Sequence, residues 1–303
     1  MPSAFHYGFC GLTIRSEMAL RSLPAAGIPG DRSAEINVVR GPAPTPADPV
    51  RETEFLTIGA DGRALLTVAG VVRILVVRGD TIVVEPVPGA DEAAIEVFVA
   101  GAALGLLAHQ RGMLPLHGAL VRVNGRGIVL TGPTGAGKST LALWLARHGH
   151  AVFGDDLCVL TQGPAAWAPN AAVKLWADAV GELGLPQAEL RLLRRGSEKH
   201  VLSLGQPSAA APEPVRAIMS IVFDKRIAGP EIAWLSGAEA LDRLIGAVFR
   251  LPAARAMGRS GEIARQTLAL VSGGGLRIGT LHRPPGFAQM DAVVDAIEKA
   301  LAP

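Results

Sequence analysis

Apolar and polar positions along this chain follow two different rhythms. Up to about residue 95, apolar residues come in short β-branched runs: Leu65 to Val68, Val71 to Val77 and Thr81 to Val84. Gly70 and the pair Gly79-Asp80 separate them. Such runs bounded by turn residues predict hairpin strands. Arg40 to Thr53, rich in Pro, Ala and charge, predicts a loop. From about Ala90 the rhythm changes. Asp91 to Gln110 is almost continuously apolar behind a residue able to cap a helix, and predicts one. Its uncharged part, Val97 to Ala108, is twelve residues long. That is too short to span a bilayer and predicts a buried helix instead. Arg111 to Leu116 predicts a connector. The change of rhythm divides the chain into a β-rich N-terminal domain, 1–95, and a second domain, 96–303.

The second domain opens on a strand, a loop, a helix and a strand. Gly127 to Thr131 predicts a strand and Gly132 to Ser139 a glycine-rich loop. Lys138 to His148 predicts a helix ended by Gly149 in a left-handed conformation. Ala151 to Gly154 is the next strand, followed at once by Asp155 and Asp156. Further strands are predicted at Ala217 to Phe223, Ile232 to Leu235 and Leu276 to Leu281. Helices are predicted at Leu241 to Phe249, Glu262 to Val271 and Met290 to Leu301. No fixed-period repeat is present.

Composition narrows the function. With 49% apolar residues in 303, the chain buries a large core, and with only 4% aromatics that core is built from Ala, Val, Leu and Ile. A net charge of +2 lacks the basic excess of a nucleic-acid binder. Cys10 and Cys158 are too few for a disulfide framework and show no metal-ligand spacing. The start, MPSAFHYGFCGLTIRSE, has no basic region leading into an apolar run, so neither a signal peptide nor a membrane partner is expected and the location is read as cytoplasmic. Only five of the 29 basic residues are Lys, and all five lie at or after Lys138.

That first lysine belongs to a motif. GPTGAGKS, Gly132 to Ser139, fits G-x-x-x-x-G-K-[ST]. Glycines let backbone N–H groups converge on phosphate oxygens, and the helix beginning there adds its positive end. Gly132, Thr134, Gly135, Ala136, Gly137, Lys138, Ser139 and Thr140 are therefore the candidate ATP-binding residues. Lys138 reaches the β and γ phosphates, and the Ser139 hydroxyl ligates Mg²⁺. A chance match in a chain with 36 Gly is on the order of one in two hundred.

Asp155 and Asp156 follow the next strand. In a right-handed strand–helix–strand unit both strands run the same way, so their C-terminal ends share the sheet edge where ligands bind. One carboxylate there can hold Mg²⁺ and another can take a proton from an attacking hydroxyl. Gly-Asp-Asp is also ordinary turn material. The pair lies 16 residues after Ser139, much nearer than the acidic residue of most phosphate-loop ATPases.

The stretch from Leu114 to Leu160 resembles the catalytic core of HPr kinase/phosphorylase, a family of bacterial phosphate-loop serine kinases. It carries His117-Gly118, the loop, Arg147-His148-Gly149-His150 and Asp155-Asp156 in the family's order. The resemblance implies an α/β phosphate-loop catalytic domain behind the β-rich N-terminal region. It implies Asp155 as the acid/base residue, Asp156 and Ser139 as Mg²⁺ ligands, His117 near the active site, and a homo-oligomer. From the residues alone, a lone His in an apolar run is more often a packed structural residue. The family's second signature, a Glu-containing run after the paired Asp, is not recognisable here. Pro169 to Leu185 and Arg191 to Leu202 stand in its place. The chain looks closer to a divergent branch that includes kinases of lasso-peptide precursors, in which Lys174-Leu175-Trp176 and Lys199 have counterparts.

Three readings follow. One is an ATP- and Mg²⁺-dependent kinase acting on a serine of a peptide or small protein, with phosphorylase activity less secure. A second changes the acceptor to a small metabolite, and a third is a non-catalytic nucleotide sensor. Arg191, Arg194, Arg195, Lys199 and His200 form a basic patch that either grips phosphates or an acidic peptide, or is a solvated surface. Lys174 or Lys199 is a candidate phosphate contact in a chain that otherwise uses Arg. Arg250, Arg255 and Arg259 are candidates for a transition-state cation. Ser272-Gly273-Gly274 and Asp224-Lys225 lack the context of transporter or guanine signatures.

Overall fold

The computed structural model describes residues 4–26, 34–193, 196–204 and 211–302. Among the described residues, strands form three sheets, of eight, nine and three strands, within a mixed α/β fold. The eight-stranded sheet takes its strands from Phe5–Phe9 to Thr81–Pro86. The three runs read as hairpin strands pair antiparallel in the order predicted. The stretch read as a loop, Arg40 to Thr53, contains the edge strand Pro49–Glu52. All four of its residues are exposed, so it carries no apolar alternation to read.

One face of this sheet is covered by a helix running from Glu92 to Gln110. Asp91 caps it by accepting a hydrogen bond from Ala93 N at 3.1 Å. By length and composition this helix is long enough to cross a membrane, but 78% of its most apolar window is buried inside the protein. The twelve-residue stretch is thus the middle of a longer core helix. Ile95, Leu104, Leu106 and Leu107 pack with Ile14, Ile36, Ile74 and Val84 of the sheet, each full burial worth about 1.5–3 kcal/mol. The boundary expected between residues 95 and 96 falls inside this helix. The same core takes in Leu157, Val159, Phe249 and Ala253 from later in the chain.

Val99–Ala103, in the middle of the helix, is wound as a π-helix, a distortion that often marks a functional position. Two glycines let this segment approach its neighbours. A Cβ on Gly105 would stand 2.5 Å from the Phe249 ring, and one on Gly101 would stand 3.3 Å from Asp156 Oδ2.

The nine-stranded sheet holds the predicted unit. Across it run Ala151–Gly154, Gly118–Val123, Arg126–Thr131, Glu213–Phe223 and Arg277–Arg283, with Glu231–Leu235 at the edge. Arg126–Thr131, Glu213–Phe223 and Arg277–Arg283 are parallel. Ala151–Gly154 and Arg126–Thr131 both pair antiparallel with the strand between them, so they run the same way, as the unit requires. The helices Lys138–Arg147 and Met290–Ala300 pack one face of the sheet through Leu141, Leu145, Val294 and Ile297. Gly237–Gly246 and Ser260–Ser272 pack the other face through Leu244, Ile263 and Leu270. The first of these starts and stops earlier than Leu241 to Phe249, because Ser236 leads into it and the chain turns at Val248 to bridge Leu116.

The connector predicted at Arg111 to Leu116 includes the short strand Leu114–Leu116, paired with Cys158–Leu160. The third sheet, Ala172–Trp176, Lys199–Ser203 and Leu190–Leu192, is antiparallel. It lies beside the Lys138–Arg147 helix through Leu143, Val173 and Leu175.

Candidate active site

The glycine-rich loop leaves the Arg126–Thr131 strand and turns directly into the Lys138–Arg147 helix. Gly137 caps that helix with φ +85°, in the left-handed region that glycine occupies without cost. At Gly132 a Cβ would stand 2.9 Å from the Ile221 carbonyl oxygen, so the loop packs against the neighbouring strand only because no side chain is there. Thr134, Gly135, Gly137 and Thr140 line the cleft above the loop. The Ala136 side chain is buried in the core beneath it. Lys138 curls back over the loop, its Nζ donating to the carbonyls of Gly132 at 2.9 Å and Pro133 at 3.1 Å. Burial lowers its pKa, against the opposing pull of Asp155 and Asp156. These features fit a phosphate cradle: left-handed glycines, a helix start and a cation already folded over the site.

Asp155 is 2% exposed. Ser139 Oγ donates to its Oδ2 at 2.5 Å, and Lys174 N reaches the same oxygen at 3.4 Å. Burial raises the Asp155 carboxyl above the usual carboxylate range, and the neighbouring Asp156 charge adds to that. Asp156 has the opposite environment. Burial alone would raise it, but Lys174, His117 and Arg250 outweigh that and hold it well below the usual range. Its Oδ2 lies 2.6 Å from Lys174 Nζ and its Oδ1 lies 3.4 Å from His117 Nδ1. Two adjacent carboxyls are thus driven apart, one toward a strong base and one toward a permanent anion. The hydroxyl of Ser139 is joined to Asp155, whereas the sequence had grouped it with Asp156.

His117 also lies 3.1 Å from the Asp156 carbonyl through Nδ1. Burial lowers its pKa and the Asp156 charge opposes that, and the Nδ1 contact with the carbonyl orients the aspartate turn. That turn is strained, because Asp156 has φ +76°. Arg250, with φ +44°, adds its charge to those acting on the Asp156 carboxylate. Backbone bonds from His117 N to the Ala247 carbonyl and from Phe249 N to the Pro115 carbonyl, 2.9 and 2.8 Å, tie these two segments together.

The cleft around these groups has a volume of about 1270 Å³. Lys138, Lys174, Lys199, Arg243, Arg250 and Arg283 line it, against Asp155, Asp156, Asp178 and Asp242. Six cations against four carboxylates suit an anionic ligand. Three of the five lysines are here, which is the asymmetry seen in the sequence. Lys199 lies over the half-exposed Trp176 ring at 4.5 Å.

Of the other residues of the basic patch, only some are described. Arg191 donates to the Ala93 carbonyl at 2.8 Å, and Arg194 and Arg195 lie outside the described residues. Of the three candidate arginines, Arg250 lines the cleft, while Arg255 and Arg259 do not. Arg259 instead sits under Gly112, where a Cβ would meet its Nη2 at 3.0 Å. Reasoning from sequence missed Arg243, Arg283 and Phe223. The last two end neighbouring parallel strands, a position visible only once the strand order is known.

A family model described as SynChlorMet cassette protein ScmC matches residues 84–218, a little under half of the chain. HPr kinase/phosphorylase of Lactobacillus delbrueckii subsp. bulgaricus is 54% identical over 41 residues, covering 14% of this chain and 13% of that protein. The HPr kinase/phosphorylase of Latilactobacillus sakei subsp. sakei is 46% identical over 52 residues, covering 17% of this chain and 16% of that protein. The chain therefore matches only a small part of the length of these curated relatives. A structure of the Hpr(Ser) kinase/phosphatase from Coxiella burnetii covers 61% of this chain and 95% of that chain, at 12% identity and a TM-score of 0.34. The chain thus resembles HPr kinase/phosphorylase over a short core, and the ScmC match fits a divergent branch.

Proposed function

We propose that this chain is a cytoplasmic ATP- and Mg²⁺-dependent kinase that phosphorylates a serine hydroxyl on a peptide or small protein. A ribosomally made peptide precursor of the lasso type, or HPr, is the class of acceptor. The observation that carries this reading is the buried Asp155 carboxyl, held 2.5 Å from the Ser139 hydroxyl of the phosphate loop with Asp156 beside it. Mere nucleotide binding needs one carboxylate at most, and here two are set in opposite electrostatic environments.

The roles follow from the environments. The loop amides and Lys138 hold the phosphates, Lys138 exchanging its two carbonyl partners for phosphate oxygens. Ser139 and Asp156 would hold Mg²⁺. The Ser139 proton already points at Asp155, which leaves the oxygen's lone pairs for the metal. A Mg²⁺ held by these two residues would supply positive charge against that developing on the transferred group. Asp155 takes the proton of the acceptor serine as its oxygen bonds to the terminal phosphorus and the bond to the bridging oxygen breaks. Its raised pKa makes it a better base than a free carboxylate. Lys174 and Arg250 keep Asp156 ionised through that step. Phosphorolysis would use the same proton in reverse.

The test is transfer of label from γ-labelled ATP in the presence of Mg²⁺, offered serine-bearing peptides and a pool of small metabolites. Acid-stable phosphoserine on a peptide is the expected product. Label on a metabolite alone would move the acceptor to the small-molecule class. Tight binding without turnover on any acceptor would make the protein a sensor.

A further inference from the structure

Phe223 is an aromatic in an unusual place. It ends a strand whose inner residues are buried, yet it is 43% exposed and faces the cleft. The next parallel strand ends on Arg283, which is in direct register with it. The Arg283 guanidinium lies over the Phe223 ring, 4.7 Å from its centroid, so one face of the ring is backed and the rest looks into the cleft.

Arg283 is itself only 4% exposed. Its Nη1 donates to the Gly286 carbonyl at 3.1 Å and contacts Met290 Sδ at 2.8 Å. Its Nε has no hydrogen-bond partner among the described residues. A Cβ on Gly137 would stand 3.3 Å from its Nη2 and 3.8 Å from the Phe223 ring. The pair therefore abuts the phosphate loop, whose glycine makes room for it. A buried arginine with an unpaired N–H, beside an exposed ring, has no structural account in the fold alone.

Strand order gives this pair a direction. From the Arg126–Thr131 strand that feeds the loop, the aspartates lie to one side, beyond Gly118–Val123. Phe223 and Arg283 end the next two strands on the other side. A nucleotide lying along the loop with its terminal phosphate at Asp155 extends its base toward Phe223.

We propose that Phe223 and Arg283 seat the nucleobase, which stacks on the open face of the Phe223 ring while Arg283 backs the other face and borders the loop. This rests on the nucleotide reading of the cleft. Stacking of one base on one aromatic ring is expected to be worth about tenfold or more in affinity, which is large enough to measure.

The experiment is titration calorimetry of the full chain with Mg²⁺–ATP and with Mg²⁺–tripolyphosphate, which has the phosphates and no base. Wild type is expected to bind ATP more tightly than tripolyphosphate. Phe223→Ala is expected to weaken ATP about tenfold or more and leave tripolyphosphate unchanged. Phe223→Leu, which keeps apolar bulk without a ring, should do the same, and Phe223→Trp should keep ATP binding. Equal weakening of both ligands, or no weakening of ATP, overturns the seat. If wild type binds both ligands equally, the seat falls while the phosphate-loop reading stands. If wild type binds neither, both fall.

Discussion

Lys174 Nζ lies 2.6 Å from Asp156 Oδ2, and this contact decides which of two adjacent carboxyls stays charged. Without it, Asp156 would face the buried Asp155 with only His117 and Arg250 to hold it. Removing one partner of a buried pair strands the other. The side chains here are 19% and 22% exposed, so the cost is discounted for solvent screening. Lys174→Met is expected to lower unfolding free energy by roughly 2 kcal/mol in urea titration and to cut phosphoryl transfer more than tenfold. Unchanged transfer would show that the Lys174 contact is only structural.

The position of Asp155 depends on the glycine before it. A Cβ on Gly154 would stand 2.4 Å from the Asn170 carbonyl oxygen, which is backbone and cannot swing away. Gly154→Ala should therefore displace the strand end and the aspartate with it. The expected outcome is a loss of about 1–3 kcal/mol of stability and a larger fractional loss of activity. Gly163→Ala is the control, because nothing lies within 4 Å of a Cβ there. Equal behaviour of the two variants in thermal melts would contradict the packing account.

His109 supplies a pH signature outside the site. It is fully buried and its Nε2 lies 2.6 Å from the Phe249 carbonyl. Burial pushes its pKa down from 6.5 to about 4. Because the unfolded chain takes the proton first, stability is fully present above pH 6.5 and falls as pH drops toward 4. The shift corresponds to about 3 kcal/mol. His109→Gln keeps a donor for the carbonyl and removes the titration. Subtracting its unfolding free energies from those of wild type across pH 4–7 should give a slope over this window. A flat difference would contradict the assignment.

What could be read in advance depended on how far apart the cooperating residues lie. The phosphate loop and Asp155 sit within one strand–helix–strand unit, so spacing alone placed them together. Lys174 was flagged by composition, but its partner emerged only from the third sheet folding over the cleft. Arg283 and Phe223 meet through strand order, and Arg250 through a bridge between Leu116 and Val248. None of these has a local signal. The strands Pro49–Glu52 and Leu114–Leu116 were missed because one is wholly exposed and the other only three residues long. Charge in sequence likewise does not reveal that Arg191 turns inward to a helix carbonyl.

The most direct test is phosphoryl transfer by Asp155→Asn, measured with γ-labelled ATP and a serine-bearing peptide acceptor beside a nucleotide-binding titration. Asparagine keeps the shape and a hydrogen-bond partner for Ser139 but cannot take the proton. The account predicts near-native ATP affinity with transfer reduced by about a hundredfold or more, the usual worth of a positioned base. Full transfer by Asp155→Asn would contradict it.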